Sequence, residues 1–493
     1  MNFEEFSKNK NQFTLGHLTT ESFHSKTLSL SIQSKENLPL AIQTLKKVDI
    51  DAFNLLLKLE SEIYKTYKKL KSSLQSDSKI FICGCGATGR LALAIETIGR
   101  FTGNKNIVGF MAGGDFALIK SVESFEDKMD YGRRQLRDLG FEDGDVLIAV
   151  TEGGETSFVI GAALEATSLG SLDSYFLYCN PDSELESLDR FKMIQENNRV
   201  HRLNLTVGPM ALSGSTRMQA TSVQMFVTGL LALKDFGTEV DFSKYFRSSI
   251  KELKDLNYQN LEQFIIGESN EYIKGEKITY QSCEKYAISV LTDTTERSPT
   301  FNLPPFETID DNYMALSYLT IEGATSSEEG WSKMLQRDLR ELEWGDEFKH
   351  ISVEQILKFD ISQKSIERRM LSSIFSISEI DGNIVLKLHD LETKISVTDD
   401  LLTNHLKLKL LLNTLSTLIM GRLNRYESNV MTWVKPANYK LIDRATRYAL
   451  RLLEINGEII EYDDVARFIF DKAKTPGSSN ESIVRAAVDN FSK

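Results

Sequence analysis

Short apolar runs recur along the first half of the chain, each followed by a longer stretch with helical periodicity. The runs are Lys79–Cys83, Asn106–Met111, Asp145–Val150, Ser174–Tyr178 and Val200–Leu205. Runs of this length, apolar throughout and bounded by turn residues, read as strands buried on both faces of a parallel sheet. The intervening stretches Leu91–Phe101, Lys128–Leu139, Phe158–Ser168 and Met218–Phe236 read as its crossover helices. The alternation predicts a doubly wound α/β domain over residues 76–242, preceded by an amphipathic helical segment over 1–75. A polar helical connector, 243–270, leads to a second set of candidate strands at Lys277–Ser282, Tyr313–Thr320, Ile374–Ile380 and Asn383–Leu388. The last two enclose Asp381-Gly382, a two-residue hairpin signal. A second domain is therefore expected over 271–436. A helical tail follows over 437–493, interrupted at Thr475-Pro476-Gly477.

Composition narrows the class. The formal net charge is -12 and no basic block interrupts it, which argues against nucleic acid as a partner. The N-terminal residues are polar, without an apolar signal core. The longest apolar candidate, Leu410–Met420, is broken by Asn413, Thr414, Ser416 and Thr417, so a buried helix is expected there and no membrane span. Cys83, Cys85, Cys179 and Cys283 form no Cys-x-x-Cys pair. Reduced thiols and a cytoplasmic location are the economical expectation.

Three turns rich in glycine and hydroxyl residues carry the candidate chemistry: Gly84–Arg90, Thr151–Ser157 and Ser213–Arg217. Glycines let backbone approach a ligand, and hydroxyls with free N–H groups at a helix start favour an anion. Gly84-x-Gly86-x-x-Gly89 by itself also fits a dinucleotide fingerprint, with Asp115 as its late acidic residue. The two later turns have no role in that reading. Together the three point to a phosphorylated small molecule, with no cofactor and no metal called for. Thr88, Thr151, Thr156, Ser213, Ser215 and Thr216 are the ligand-binding hydroxyls, beside Gly86 and Gly89. Helix N-capping is the competing role for each of them. Arg90 and Arg217, each at a first helical turn, read as braces of their loops more than as phosphate ligands.

The three turns together resemble the sugar isomerase (SIS) family of phosphosugar-binding domains. The resemblance narrows to the branch containing N-acetylmuramic acid 6-phosphate etherase and glucokinase regulatory protein. It is carried by GCGATGRLAL from Gly84, by Ala112-Gly113-Gly114-Asp115, by Glu123–Asp127 and by Gly208–Met218. Leu412–Thr417, Asn429–Ala445 and Leu18–Ser22 extend it over nearly the whole chain. It implies two tandem SIS domains with doubly wound, flavodoxin-like parallel sheets and a C-terminal helical lid. The layout, longer than an etherase, is similar to that of the regulatory protein. It implies an internal pseudo-dimer, which removes the need for a homodimer without forbidding one.

The etherase removes a lactyl ether by elimination, with a base for the proton beside the aldehyde carbon and an acid for the departing oxygen. Two carboxyls of different environment suit that task. The resemblance places one at Glu126, in the first half. Its partner is missing there, because Ile98 occupies the position. Glu96, two residues earlier, is expected on a solvated helix face. The second half supplies the missing group: Asp293–Phe301 resembles the etherase segment and puts Glu296 in the acid/base position. That half lacks glycines at Tyr280–Ala287, so each half keeps what the other lost and one composite site is expected. The competing role for Glu296 is a helix cap or a surface ion pair. Lys409 is expected to contact the ligand as a mobile cation. Met210, Gly153 and Gln219 depart from the family pattern, and Glu152 and Glu155 put negative charge beside the second turn.

The resemblance thus implies a phosphosugar-binding protein with Glu296 and Glu126 as an acid/base pair acting on N-acetylmuramic acid 6-phosphate. The alternative is a non-catalytic sugar-phosphate sensor that controls a sugar kinase. An aldose–ketose isomerase fits less well, since no histidine stands near the turns.

Overall fold

The computed structural model describes residues 3–10, 14–258, 260–370, 372–436, 438–475 and 481–492. Strands β1 (Ile80–Gly84), β2 (Ile107–Met111), β3 (Val146–Val150), β4 (Ser174–Tyr178) and β5 (Val200–Asn204) form one sheet in the order β2-β1-β3-β4-β5. Every pairing in it is parallel. Residues of β1, β3 and β4 are buried throughout, because helices cover both faces. Strand order reverses between β1 and β3. The loops leaving those two strands, the first and second glycine turns, therefore flank one crevice at the carboxyl edge of the sheet.

The second sheet repeats that order. Strands β6 (Lys277–Ser282), β7 (Ser317–Ile321), β8 (Ser372–Ile380), β9 (Asn383–Leu388) and β10 (Leu391–Ser396) run β7-β6-β8-β9-β10. It is parallel across β7, β6 and β8, then antiparallel through β9 and β10. The change of direction comes from two tight turns. Asp381 and Gly382 both have positive φ, as a two-residue hairpin between right-twisted strands requires. His389, also at positive φ, turns β9 into β10. β10 was not expected from the sequence: at the sheet edge it exposes Glu392, Lys394 and Ser396, and only Ile395 is buried.

Two helices bring the halves together. Gly86–Phe101 leaves β1 and Glu284–Phe301 leaves β6 at the matching place in the second sheet. The two helices touch each other across the boundary between the halves. Gly86–Phe101 begins earlier than its apolar pattern indicates, because the glycine turn is its first turn. Thr88 Oγ1 accepts from Cys85 N at 3.1 Å and caps it. Leu401–Arg422, the helix expected around Leu410–Met420, is buried from Leu401 to Gly421. It packs on Gln219–Leu233 of the first half and on Leu261–Ile273 and Glu284–Phe301 of the second, so no face of it meets solvent. Among the described residues no helix is long and apolar enough to cross a membrane.

The C-terminal region is helical: Tyr439–Ile455, Tyr462–Ala473 and Ile483–Phe491 surround a core of their own that also takes in Phe6 from the N-terminal helix Phe3–Asn9. Pro476 and Gly477, expected to interrupt it, lie outside the described residues.

Candidate functional site

Each glycine turn has a local reason for its shape. A Cβ on Gly84 would lie 2.4 Å from the Thr88 backbone carbon, and one on Gly89 would lie 2.4 Å from Met111 Cβ. Only glycine allows β1 and β2 to sit this close to the helix start. In the second turn Gly154 has φ +82, and its N–H donates to Thr151 Oγ1 at 3.3 Å. In the third, Gly214 has φ +67 and faces Tyr448 Oη of the C-terminal region.

The hydroxyls divide by what they already bond. Thr88 Oγ1 also donates to Cys85 O at 2.9 Å, so at this position capping is the observed role. Ser213 Oγ donates to Glu21 O at 2.7 Å, tying the third turn to the N-terminal segment. Thr156 stands at the N-cap of Ser157–Leu169 yet makes no capping bond. Its hydroxyl meets that of Thr151 at 2.9 Å across the mouth of the second turn. Thr216 gives its carbonyl to Thr221, from N at 3.1 Å and from Oγ1 at 2.7 Å. Ser215 Oγ is buried and makes no hydrogen bond among the described residues. A hydroxyl so placed is a ready partner for a ligand oxygen.

Both arginines of the turns reach into the second half. Arg90 Nη1 pairs with Glu296 Oε1 at 2.5 Å, while Nε and Nη2 donate to Leu118 O and Ala117 O, each at 3.2 Å. Arg217 donates to Asp293, Asn413, Ser416 and Thr417 at 3.1–3.3 Å. Glu296 is thus neither a helix cap nor a surface charge; its carboxylate crosses the boundary between the halves. Asp293 in turn holds Arg297, whose Nη1 reaches Glu268 Oε1 at 2.6 Å.

Four carboxyls surround the first two turns. Glu126 Oε1 lies 3.8 Å from where a Cβ on Gly86 would stand. Glu155 is buried, which alone would raise its pKa. Lys440 at 2.6 Å and Arg190 outweigh that and hold it below its usual value. Glu152 is buried at the end of β3 and accepts from Thr221 Oγ1 at 3.1 Å. Burial, with Glu296 nearby, pushes its carboxyl up to about 7. Glu296 completes the set.

Lys409 differs from its expected role. Its ammonium is buried and donates to Arg217 O at 2.7 Å and Ser222 Oγ at 2.9 Å, so it is a fixed strut between halves and not a mobile cation. Burial and the adjacent Arg217 lower its pKa to about 7. Glu96 also differs. It is 1 % exposed, not solvated, because Arg337 at 3.2 Å and Arg340, both from the second half, close over it with Arg100. Nothing in the helical periodicity around Glu96 signals arginines more than 200 positions away.

Lys440 was missed as a site residue, although it falls in the Asn429–Ala445 stretch. Its role depends on the C-terminal helix lying over the second turn, which no local pattern reveals. The same helix places Tyr448 Oη on Ser213 O at 2.5 Å and brings Arg444 and Arg447 to Glu21. A separate cleft of about 430 Å³ lies between the β2 edge and Arg340–Glu343. It is lined by no residue of the three turns.

Comparison with known proteins follows the same lines. The glucokinase regulatory protein N-terminal SIS domain family matches residues 62–167. N-acetylmuramic acid 6-phosphate etherase of Vibrio atlanticus is 28% identical over 223 residues, 44% of this chain and 67% of that protein. The etherase of Staphylococcus epidermidis is 27% identical over 258 residues, 51% and 80% respectively. That of Aliivibrio fischeri is 31% identical over 218 residues, 43% of this chain and 68% of the relative. The chain therefore belongs to the sugar isomerase (SIS) domain family, in the branch that holds N-acetylmuramic acid 6-phosphate etherase and glucokinase regulatory protein.

Proposed function

We propose that the protein binds a sugar 6-phosphate at the carboxyl edge of the first sheet and cleaves an ether on that sugar by acid/base elimination. The substrate named by the relatives is N-acetylmuramic acid 6-phosphate. The observation that carries the reading is the Arg90–Glu296 pair at 2.5 Å. It holds the second half's carboxyl against the first half's phosphate-type turn, as a single composite site requires. Gly86, Gly89, Thr151, Thr156, Ser215 and Thr216 bind the phosphate and sugar hydroxyls, and Thr88 and Ser213 shape the turns. Lys409 positions Arg217. Glu126 and Glu296 are the carboxyls that the family resemblance assigns to acid/base chemistry, with the C-terminal helices as a lid over the site.

In the reaction, a carboxylate removes the proton on the carbon beside the aldehyde. The electron pair forms a carbon–carbon double bond, the ether bond breaks, and the departing lactate oxygen takes a proton. Lactate release from N-acetylmuramic acid 6-phosphate tests this directly. Wild-type protein releases lactate, and Glu296→Gln slows release by roughly 100-fold or more. Wild-type protein that binds sugar phosphates but never releases lactate overturns the lyase reading.

A second reading has its own support. The matched domain is that of a regulatory protein, and the two sheets with a helical C-terminal region lie in one chain. A sensor that controls a sugar kinase would bind the sugar phosphate through the same turns and leave it intact. Binding of fructose phosphates without lactate release, together with a change in sugar kinase activity on adding the protein, would favour it.

A further inference from the structure

We propose that Glu152, a residue outside the acid/base pair named above, is the proton donor of this site. The inference rests on the lyase reading and assigns one of its steps. Glu152 follows the C-terminal end of β3 at the switch point of the sheet, and its main chain and its carboxyl are each held by a hydrogen bond. Its main-chain carbonyl accepts from Cys179 N at 3.0 Å. Its Oε1 accepts from Thr221 Oγ1, whose hydroxyl also meets Thr216 O, so the side chain lies between the second and third turns.

What distinguishes Glu152 is the company it keeps. Glu296 has the Arg90 guanidinium, and Glu155 has Lys440 and Arg190. Glu126 lies in the field of Lys440. Among the described residues Glu152 has no cationic partner. The titratable groups facing it are Glu296, Cys85 and Cys179, none of them positive. A buried carboxyl among acids and thiols, met by its own main-chain N–H and the hydroxyls of Thr216 and Thr221 but by no cation among the described residues, keeps its proton near neutral pH. A carboxylate clamped by a guanidinium does not readily serve as a donor. Glu126, in the field of Lys440, and Glu152, with no cation beside it among the described residues, are two carboxyls separated in this way, as a base and an acid are. In this chain the donor's part falls to Glu152, while Glu296 stays paired with Arg90.

The step balances as follows. Glu126 takes the proton from the carbon beside the aldehyde, and the released electron pair becomes the double bond. The ether C–O bond breaks with its electrons on oxygen, and the Glu152 O–H proton goes to that oxygen. When water adds across the double bond, Glu152 takes the water proton as the hydroxyl joins the sugar. Glu126 returns its proton to the neighbouring carbon.

Glu152→Gln keeps an acceptor for Thr221 and has no proton to give. With N-acetylmuramic acid 6-phosphate its kcat falls by about 100-fold or more, and KM stays within about 3-fold. Its rate returns towards wild type on an analogue whose lactyl ether is replaced by a nitrophenyl ether, a leaving group that needs no proton. Infrared difference spectra just below neutral pH show a protonated-carboxyl band in the wild type that is absent in Glu152→Gln. Lactate release by Glu152→Gln at the wild-type rate, an equal loss on both leaving groups, or an unchanged carboxyl band each overturns the assignment. Wild-type protein that releases no lactate removes the lyase reading itself, and the donor role with it, before any variant is compared.

Discussion

Glu152 and Glu296 lie in one buried setting and differ in what offsets their charge. Folded Glu152 holds its proton more tightly than the unfolded chain, with its carboxyl raised from 4.5 to about 7. Stability therefore falls as pH rises through that interval, by on the order of 3 kcal/mol for a shift of this size. Glu152→Gln removes that slope, and melting temperatures of the two proteins between those pH values check it. The variant gains on wild type as pH rises. Arg90 carries the opposite burden. Arg90→Ala strands the Glu296 carboxylate and leaves Ala117 O and Leu118 O without their donors, at a cost of about 3–5 kcal/mol in urea unfolding. Glu296→Gln in the same chain recovers part of that loss. Arg90→Lys does not, since an ammonium cannot span three acceptors in a fixed fork.

At the scale of elements, the tightest constraint is the contact between Gly86–Phe101 and β2. Gly89→Ala places a methyl 2.4 Å from Met111 Cβ, closer than side chains pack, so the helix start must shift. The expected loss is about 1–3 kcal/mol, together with weaker sugar-phosphate binding, read by calorimetry on the folded variant. The strands of the first sheet were legible because buried parallel strands are short, apolar and bounded by turns. β4 has the very limits its pattern gives, Ser174–Tyr178. β10 was not legible, because an edge strand with polar side chains has no apolar run to show. Tyr313–Thr320 was read too early. Its first residues lie ahead of β7, where Tyr313 bonds the carbonyls of Pro305 and Phe306 in an irregular segment.

The molecule as a whole is closed by its ends. Tyr439–Ile455 sets Arg444 and Arg447 on Glu21, which burial would raise but the two arginines hold at about 2. Glu21 thus contributes stability above its unfolded value of 4.5 that is lost as pH falls towards 2. Glu21→Gln leaves two largely buried guanidiniums without their shared carboxylate. It speeds amide hydrogen exchange across 439–455 at neutral pH and abolishes the acid-dependent part of that exchange. The sequence by itself determined the α/β class, the place of the three turns and the candidates Glu126 and Glu296. Strand burial, glycine spacing and short motifs are local properties that need no knowledge of what packs against them. Only the tertiary structure decided that Glu296 meets Arg90, that Glu96 is buried under Arg337 and Arg340, that Lys409 is a strut, and that Glu152 stands without a cation among the described residues. Each of these depends on charges brought together from distant parts of the chain. The protonation and reach of a carboxyl follow from those neighbours, not from its position in the sequence.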